Sequence, residues 1–334
     1  MLWRASTAQL SSLYGVIAAL VLTLCFGAGC KLSGVGSAPP VSLAEVPSFG
    51  SNPGRLQMFK YVPGGIHFAA PLVVAIHGCA QTAQDFADHS GWPQIADRLG
   101  FRIVFPQQRI TNNPARCFNW FLSGNSTRDS GEALSIKQMV DRMKGDYAVD
   151  ARRVFVTGLS AGGAMTSIML ATYPDVFAAG AIMAGIPYRC AGDLKESLTC
   201  LHPGVVKTPN EWGDLVRNAS MGTHAWPSVS IWQGTADRIV APVNAREEMK
   251  QWTNVHGIGQ APSATDTLGR ASHQIFRNQS GKEVVELYSI NDMGHGQAVN
   301  PGSRQQNCGS AKPFFLNVGI CSAYYASKFW GIAR

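Results

Sequence analysis

The chain has 334 residues, of which 46% are hydrophobic and 15% are charged, a composition typical of one large globular domain, or at most two. Its net charge is +7, but it has no lysine- and arginine-rich run and no alternation of basic with aromatic residues. These properties indicate an ordinary basic surface and argue against a nucleic-acid partner.

Residues 1–29 are typical of a signal peptide that is removed on export. Arg4 supplies a positive end, and residues 14–26 form an apolar stretch that is too short to span a bilayer comfortably. The small residues before Cys30 resemble a bacterial lipoprotein processing site, in which Cys30 would carry a lipid anchor, although Gly27 stands where leucine is usual. Ordinary cleavage nearby is the alternative. We therefore expect an extracellular or periplasmic protein, held at a membrane if Cys30 is lipidated.

Residues 30–52 are rich in glycine, serine and proline and are predicted to be a flexible tether, which leaves residues 53–334 as the folded domain. The predicted strands are residues 55–62, 72–77, 102–106, 153–157, 179–184, 228–233 and 283–290. The predicted helices are residues 92–99, 131–147, 161–173, 244–256 and 322–330. This alternation predicts an α/β fold, with a mostly parallel sheet and helices on both faces.

Residues 158–162, Gly-Leu-Ser-Ala-Gly, lie between a predicted strand and a predicted helix. A serine at such a turn, with glycine two residues before and two after it, is typical of the nucleophile elbow of α/β-hydrolases. The glycines suit a strained turn in which the helix passes close to the strand. Ser160 is therefore the candidate nucleophile.

A serine hydroxyl needs a base, and α/β-hydrolases present the acid and the histidine after the serine along the chain. Asp237 follows the predicted strand 228–233, and His295 follows the predicted strand 283–290. We predict that His295 is the general base and that Asp237 orients its ring. Alternatively, Asp237 caps the helix near Asn244, His295 is a turn residue, or Asp292 is the acid. The remaining candidates are expected at the surface: His202, His224, His256 and His273.

An oxyanion hole requires backbone N–H groups aimed at the developing alkoxide. The amide of Ala161, directly after the nucleophile, and that of Cys79, on the loop after strand 72–77, are the candidates. His77 is expected to shape this loop and border the substrate site rather than act as a base. Trp120, in an aromatic segment after Cys117, is the candidate wall of a substrate pocket, with satellite core as the alternative.

Six cysteines follow residue 30, and an even number in an exported protein suggests disulfides. Six cysteines allow fifteen pairings, and some of them could instead be free buried thiols. Short separations favour the first two of the following pairs and leave the third: Cys190–Cys200, Cys308–Cys321 and Cys79–Cys117. No Cys-x-x-Cys or His-Glu-x-x-His motif is present, so we expect no metal and no cofactor.

Several segments together resemble the polyhydroxybutyrate (PHB) depolymerase-type esterases. They are residues 77–82 (His-Gly-Cys-Ala-Gln-Thr), 113–121 (Asn-Pro-Ala-Arg-Cys-Phe-Asn-Trp-Phe), 131–136, 154–165, 234–237 and 294–296. The resemblance implies the α/β-hydrolase fold, and the family's Ser-Asp-His triad falls on Ser160, Asp237 and His295. The family includes depolymerases of poly(3-hydroxyalkanoates), feruloyl esterases and acetyl-xylan esterases.

The resemblance therefore implies an exported serine esterase that forms an acyl-enzyme, with a poly(3-hydroxybutyrate)-type polyester or its oligomers as the expected substrate. A feruloyl or acetyl-xylan esterase acting on plant polysaccharide esters is the alternative. A surface lipoprotein that keeps the fold without catalysis is the second alternative.

Overall fold

The computed structural model describes residues 40–66, 68–220 and 225–333. The strands are β1 Ala44–Glu45, β2 Gln57–Tyr61, β3 Ala70–Ile76, β4 Arg102–Gln107, β5 Val149–Leu159, β6 Ala179–Met183, β7 Ser228–Gly234, β8 Ala264–Leu268, β9 Ala271–Arg277, β10 Glu283–Ile290, β11 Gln297–Val299 and β12 Phe315–Asn317. The first ten form one sheet in the order β1-β2-β4-β3-β5-β6-β7-β10-β9-β8, while β11 and β12 pair separately.

The centre of this sheet, from β4 through β3, β5, β6 and β7 to β10, is parallel throughout. Antiparallel strands flank it, with β1 and β2 at one side and β8 and β9 at the other. Parallel strands expose their carboxyl ends at one edge, so the loops after β3, β5, β7 and β10 meet there. The predicted α/β-hydrolase architecture is confirmed.

Helices cover both faces of the sheet. Their bounds are α1 Ala83–Ser90, α2 Trp92–Leu99, α3 Gly131–Asp146, α4 Ala161–Thr172, α5 Leu194–Leu201, α6 Pro209–Arg217, α7 Val243–Val255 and α8 Ser322–Phe329. Strand β3 shows why two layers are needed, because its side chains alternate between the faces. Leu72, Val74 and Ile76 pack in the core with α3, α4 and α7, whereas Val73 and Ala75 pack with α1, α2 and α8.

The predicted tether folds onto the domain in its later half. Ala44 and Glu45 form β1 and pair with β2, and Val46 and Phe49 are buried in the core. Their apolar surface and backbone pairing offset the cost of ordering this segment, so the boundary predicted at residue 52 is wrong for residues 44–49. Residues 1–39, with the predicted signal peptide and Cys30, lie outside the described residues.

The three expected disulfides are present, and this prediction is confirmed. Their bonds join the pairs Cys79–Cys117, Cys190–Cys200 and Cys308–Cys321. Disulfides of this number are typical of proteins that fold in an oxidising compartment. Within the ranges that the structure describes, none of the helices has both the length and the apolar composition that a membrane crossing requires.

Candidate active site

Ser160 occupies the sharp turn between β5 and α4. Its backbone has φ 59° and ψ −118°, a conformation that side-chain-bearing residues rarely adopt. A Cβ atom on Gly158 would lie 2.3 Å from the carbonyl oxygen of Gly162, and one on Gly162 would lie 2.3 Å from that of Ile76. Both glycines are therefore sterically required, and the predicted elbow geometry is present.

Asp237 and His295 meet because β7 and β10 are parallel neighbours whose following loops lie side by side. The Nδ1 atom of His295 lies 2.8 Å from Oδ2 of Asp237, and their side chains are 6% and 0% exposed. The two loops pack tightly, since a Cβ atom on Gly234 would lie 2.2 Å from the carbonyl oxygen of Met293. The candidate acid and the candidate base therefore form a buried, hydrogen-bonded pair.

The Asp237 carboxylate is held in place by further donors. Gln233 Nε2 donates to Oδ2 at 2.9 Å, and the backbone amides of Ile239 and Val240 each donate to Oδ1 at 2.9 Å. Helix α7 has Pro242 at its N-cap, so Asp237 does not cap it. The rival acid, Asp292, is exposed and is not the partner of His295.

One cleft brings most of the predicted site residues together. Its lining includes five of the predicted site residues: Ser160, His295, Ala161, Cys79 and Trp120. The remaining wall is mostly apolar and consists of Gly78, Gln81, Cys117, Phe121, Leu159, Ser197, Leu201, Ile239 and Phe314. Such a cleft suits a ligand that combines an apolar body with a reactive polar group.

The loop after β3 leaves a specific backbone donor at the cleft. Gly78 donates its N–H to Gln81 Oε1 at 2.8 Å, and Ala80 donates its N–H to the carbonyl oxygen of Ala115 at 2.8 Å. Between them, the amide of Cys79 makes no hydrogen bond with any residue that the structure describes, and neither does the amide of Ala161. Two residues with unused backbone donors, Cys79 and Ala161, thus line the same cleft as Ser160.

His77 requires a correction, because it supports this loop from behind and does not line the cleft. Its side chain is fully buried, with Nδ1 2.7 Å from the carbonyl oxygen of Gly78, and Nε2 accepts from the amide of Gln108 at 3.1 Å. Burial lowers the pKa of His77 to about 4, so the ring is neutral. The prediction that His77 borders the substrate site is therefore wrong. The prediction that it shapes the loop agrees with its hydrogen bonds.

A buried carboxylate that no sequence motif indicated supports the segment that carries Trp120. Glu132 accepts from the backbone amide of Asn119 at 2.8 Å, from Asn119 Nδ2 at 2.7 Å and from Gln108 Nε2 at 2.6 Å. Asn119 precedes Trp120, and Gln108 also donates to the carbonyl oxygen of Cys117. Burial raises the pKa of Glu132 to about 7. Position in the first turn of α3 is its only sequence signal, and that position usually indicates an exposed residue.

His273 also differs from expectation, since it is only 8% exposed. It bridges the sheet, with Nδ1 2.9 Å from Asp266 of β8 and Nε2 2.9 Å from Glu286 of β10. His202 is exposed, His256 is half-buried, and His224 lies outside the described residues. Within residues 40–66, 68–220 and 225–333, no group of three or more histidine, cysteine or acidic residues could hold a metal ion.

Several known proteins are similar to this chain. The family model described as esterase PHB depolymerase matches residues 56–274. The chain is 50% identical over 299 residues to poly(3-hydroxyalkanoate) depolymerase C of Paucimonas lemoignei, covering 89% of this chain and 72% of the relative. It is 38% identical over 265 residues to an acetylxylan esterase of Coprinopsis cinerea, and the match covers 77% of this chain and 70% of the relative. It is 36% identical over 251 residues to feruloyl esterase B of Neurospora crassa, and the match covers 73% of this chain and 85% of the relative.

Solved structures show the same fold. The acetyl xylan esterase from Aspergillus awamori superposes with a TM-score of 0.74 at 27% identity, covering 87% of this chain and all of that one. A poly(3-hydroxybutyrate) depolymerase from Bordetella parapertussis superposes with a TM-score of 0.51 at 17% identity, covering 77% of this chain and 86% of that one. The chain therefore belongs to the PHB depolymerase family of esterases and is a carboxylic ester hydrolase.

Proposed function

We propose that this esterase is an exported serine hydrolase that cleaves poly(3-hydroxybutyrate)-type polyester or its oligomers through an acyl-enzyme. The observation that carries the mechanism is the shared cleft of Ser160 and His295, with Nδ1 of His295 hydrogen-bonded to the enclosed Asp237 carboxylate. That hydrogen bond selects the tautomer whose Nε2 is free to accept the serine proton.

In the first half-reaction, Ser160 Oγ attacks the ester carbonyl carbon while His295 Nε2 takes its proton. The carbonyl oxygen becomes an oxyanion, which the amides of Cys79 and Ala161 stabilise. The carbon–oxygen bond to the alcohol then breaks, and His295 returns the proton to the leaving alkoxide. Water attacks the acyl-enzyme with His295 again as base, which releases the acid and restores Ser160.

The polyester assignment is supported by the 50% identity to a poly(3-hydroxyalkanoate) depolymerase over most of the chain. The apolar walls of the cleft, with Trp120 and Phe121, suit the aliphatic acyl units of such a substrate. The second candidate, a feruloyl or acetyl-xylan esterase, is favoured by the 38% and 36% identities to enzymes of those names.

Export is supported by the three disulfides and by the signal-like composition of residues 1–29. We further propose lipidation at Cys30 as the means of membrane attachment. Expression of the Cys30→Ser variant in a bacterial host tests this step, and unchanged processing and membrane fractionation would rule out the lipid.

The mechanism is tested by covalent labelling and by activity on matched substrates. A fluorophosphonate probe should label the wild-type protein at Ser160, and the Ser160→Ala variant should neither be labelled nor hydrolyse p-nitrophenyl acyl esters. An unlabelled wild-type protein would favour the non-catalytic lipoprotein. Release rates on hydroxybutyrate oligomers, methyl ferulate and acetylated xylan then rank the substrates, and fastest release from either of the last two would reject the polyester assignment.

A further inference from the structure

We propose that the side-chain amide of Gln81 is a third hydrogen-bond donor to the oxyanion, beside the backbone N–H groups of Cys79 and Ala161. This inference rests on the proposed serine mechanism and names an additional catalytic residue for it. Gln81 lines the cleft and is 5% exposed, yet neither the triad nor the backbone oxyanion hole uses it.

The orientation of the Gln81 carboxamide follows from its partner. Its Oε1 atom lies 2.8 Å from the amide nitrogen of Gly78, and a backbone N–H can only donate. The atom that faces Gly78 must therefore be the oxygen, and the NH₂ group must point the other way. The carboxamide is thus fixed without any choice of flip.

The NH₂ group is an unused donor at the cleft. Gln81 Nε2 makes no hydrogen bond with any residue in the described ranges, although Oε1 is engaged. The Nε2 atom is not fully enclosed, so it retains accessible surface. An amide that keeps one buried end bonded and leaves the other open is preorganised to donate to a ligand.

Gln81 and the nucleophile lie against the same point of the backbone. A Cβ atom built on Gly78 would be 3.2 Å from Gln81 Oε1 and 3.4 Å from Ser160 Cβ. Gln81 Oε1 and Ser160 Cβ therefore lie close to the same backbone position, so the Gln81 carboxamide is a near neighbour of the candidate nucleophile.

The hydrogen bonds of the loop explain why a side-chain donor is useful here. The N–H groups of Gly78 and Ala80 both donate to partners within the protein. Among residues 78–80, Cys79 alone therefore has an N–H group that is free to bind a ligand. Gln81 accepts the N–H of Gly78 at one end of its amide and presents two N–H bonds at the other. One carboxamide thereby takes up the N–H of Gly78 and keeps its own NH₂ group without a partner among the described residues.

Two variants separate this donor from the loop support that Gln81 also provides. Gln81→Met removes both the donor and the acceptor for Gly78, whereas Gln81→Glu keeps the acceptor and replaces the donor with an oxygen. We expect kcat on a p-nitrophenyl ester to fall about 10²-fold in both variants, the usual cost of losing one oxyanion donor, with KM within threefold of wild type. The melting temperature of Gln81→Glu should stay near that of wild type.

The inference is overturned if Gln81→Met retains kcat within threefold of wild type, or if Gln81→Glu retains it while Gln81→Met does not. The second result would mean that the side chain only anchors Gly78. Gln84→Met is the matched control, because Gln84 bonds Val41 and Asp88 outside the cleft and should keep full activity. Failure of the wild-type protein to react with a fluorophosphonate would instead reject the serine mechanism itself.

Discussion

Nδ1 of His295 lies 2.8 Å from Oδ2 of Asp237, although 58 residues separate them in the chain. The carboxylate has no exposed side-chain surface, and Gln233 and the amides of Ile239 and Val240 fill its remaining positions. This network holds the carboxylate, and through it the imidazole ring, in one position.

Asp237→Asn should lower kcat on p-nitrophenyl esters by about 10³- to 10⁴-fold, because an amide at this position favours the wrong imidazole tautomer. KM should change little, since Asp237 does not line the cleft. Asp292→Asn is the control, since Asp292 is exposed on the same loop as His295 and should keep wild-type kcat. Equal losses in the two variants would contradict the assignment of the acid.

Removal of the Cys79–Cys117 disulfide should reduce both stability and kcat. Its cysteines are 38 residues apart, which corresponds to about 4 kcal/mol in the chain-entropy model. The bond also ties the loop that carries the Cys79 amide to the segment before Trp120. A Cys79→Ser/Cys117→Ser double variant should therefore lose kcat even at temperatures where circular dichroism shows it to be folded.

The matched control for this disulfide is the Cys308→Ser/Cys321→Ser double variant, because neither of these cysteines lines the cleft. Their separation of 13 residues corresponds to about 3 kcal/mol, so stability should fall comparably while kcat is retained. If both double variants lost kcat to the same degree, the Cys79–Cys117 bond would have no special role at the oxyanion loop.

Trp120→Ala should raise KM for esters with long acyl chains about tenfold and leave KM for an acetyl ester nearly unchanged. Trp120 is 8% exposed, borders the cleft and packs edge-on against Phe121 at 5.5 Å. A tenfold change corresponds to about 1.4 kcal/mol of lost apolar contact. Trp120→Phe keeps an aromatic wall and should preserve KM for both substrates. A uniform change across acyl lengths would exclude Trp120 from the acyl pocket.

Glu132 should make folding stability depend on pH. Burial raises its pKa from 4.5 to about 7, so the native state binds the proton more tightly than the unfolded chain does. This stabilisation is complete below pH 4.5 and is lost as pH rises to 7. At about 1.4 kcal/mol per pH unit, the loss amounts to roughly 3 kcal/mol.

The measurement for Glu132 is urea unfolding of wild type and Glu132→Gln at a series of pH values. The difference in free energy of unfolding between the two proteins should shift against wild type by roughly 3 kcal/mol from pH 4.5 to 7, because glutamine does not titrate. Groups common to both proteins cancel in this difference. Parallel curves would show that folding does not change the pKa of Glu132.

The parts of the fold that depend on local pattern were predictable from the sequence. Helix α2 has the predicted bounds, and α3 ends one residue early, because their apolar periodicity and terminal signals are local. The β8–β9 hairpin was missed because β8 is an edge strand whose central residues are exposed and polar, so the alternation that marks a half-buried strand is absent. Helix α6 was not predicted, although the capping box formed by Thr208 and Glu211 is a sequence signal for its start.

The sequence by itself determined the class of chemistry. Gly158 and Gly162 around Ser160, and the order of Ser160, Asp237 and His295 along the chain, already identified a candidate hydrolase, because an elbow is a local steric requirement. Only the tertiary structure decided which acid contacts the histidine, since that depends on β7 and β10 being adjacent. It also decided that His77 supports the loop from behind, that Glu132 is buried beneath the Trp120 segment, and that Gln81 accepts the N–H of Gly78. Burial of a side chain depends on residues that are far apart in the chain, and no local pattern encodes it.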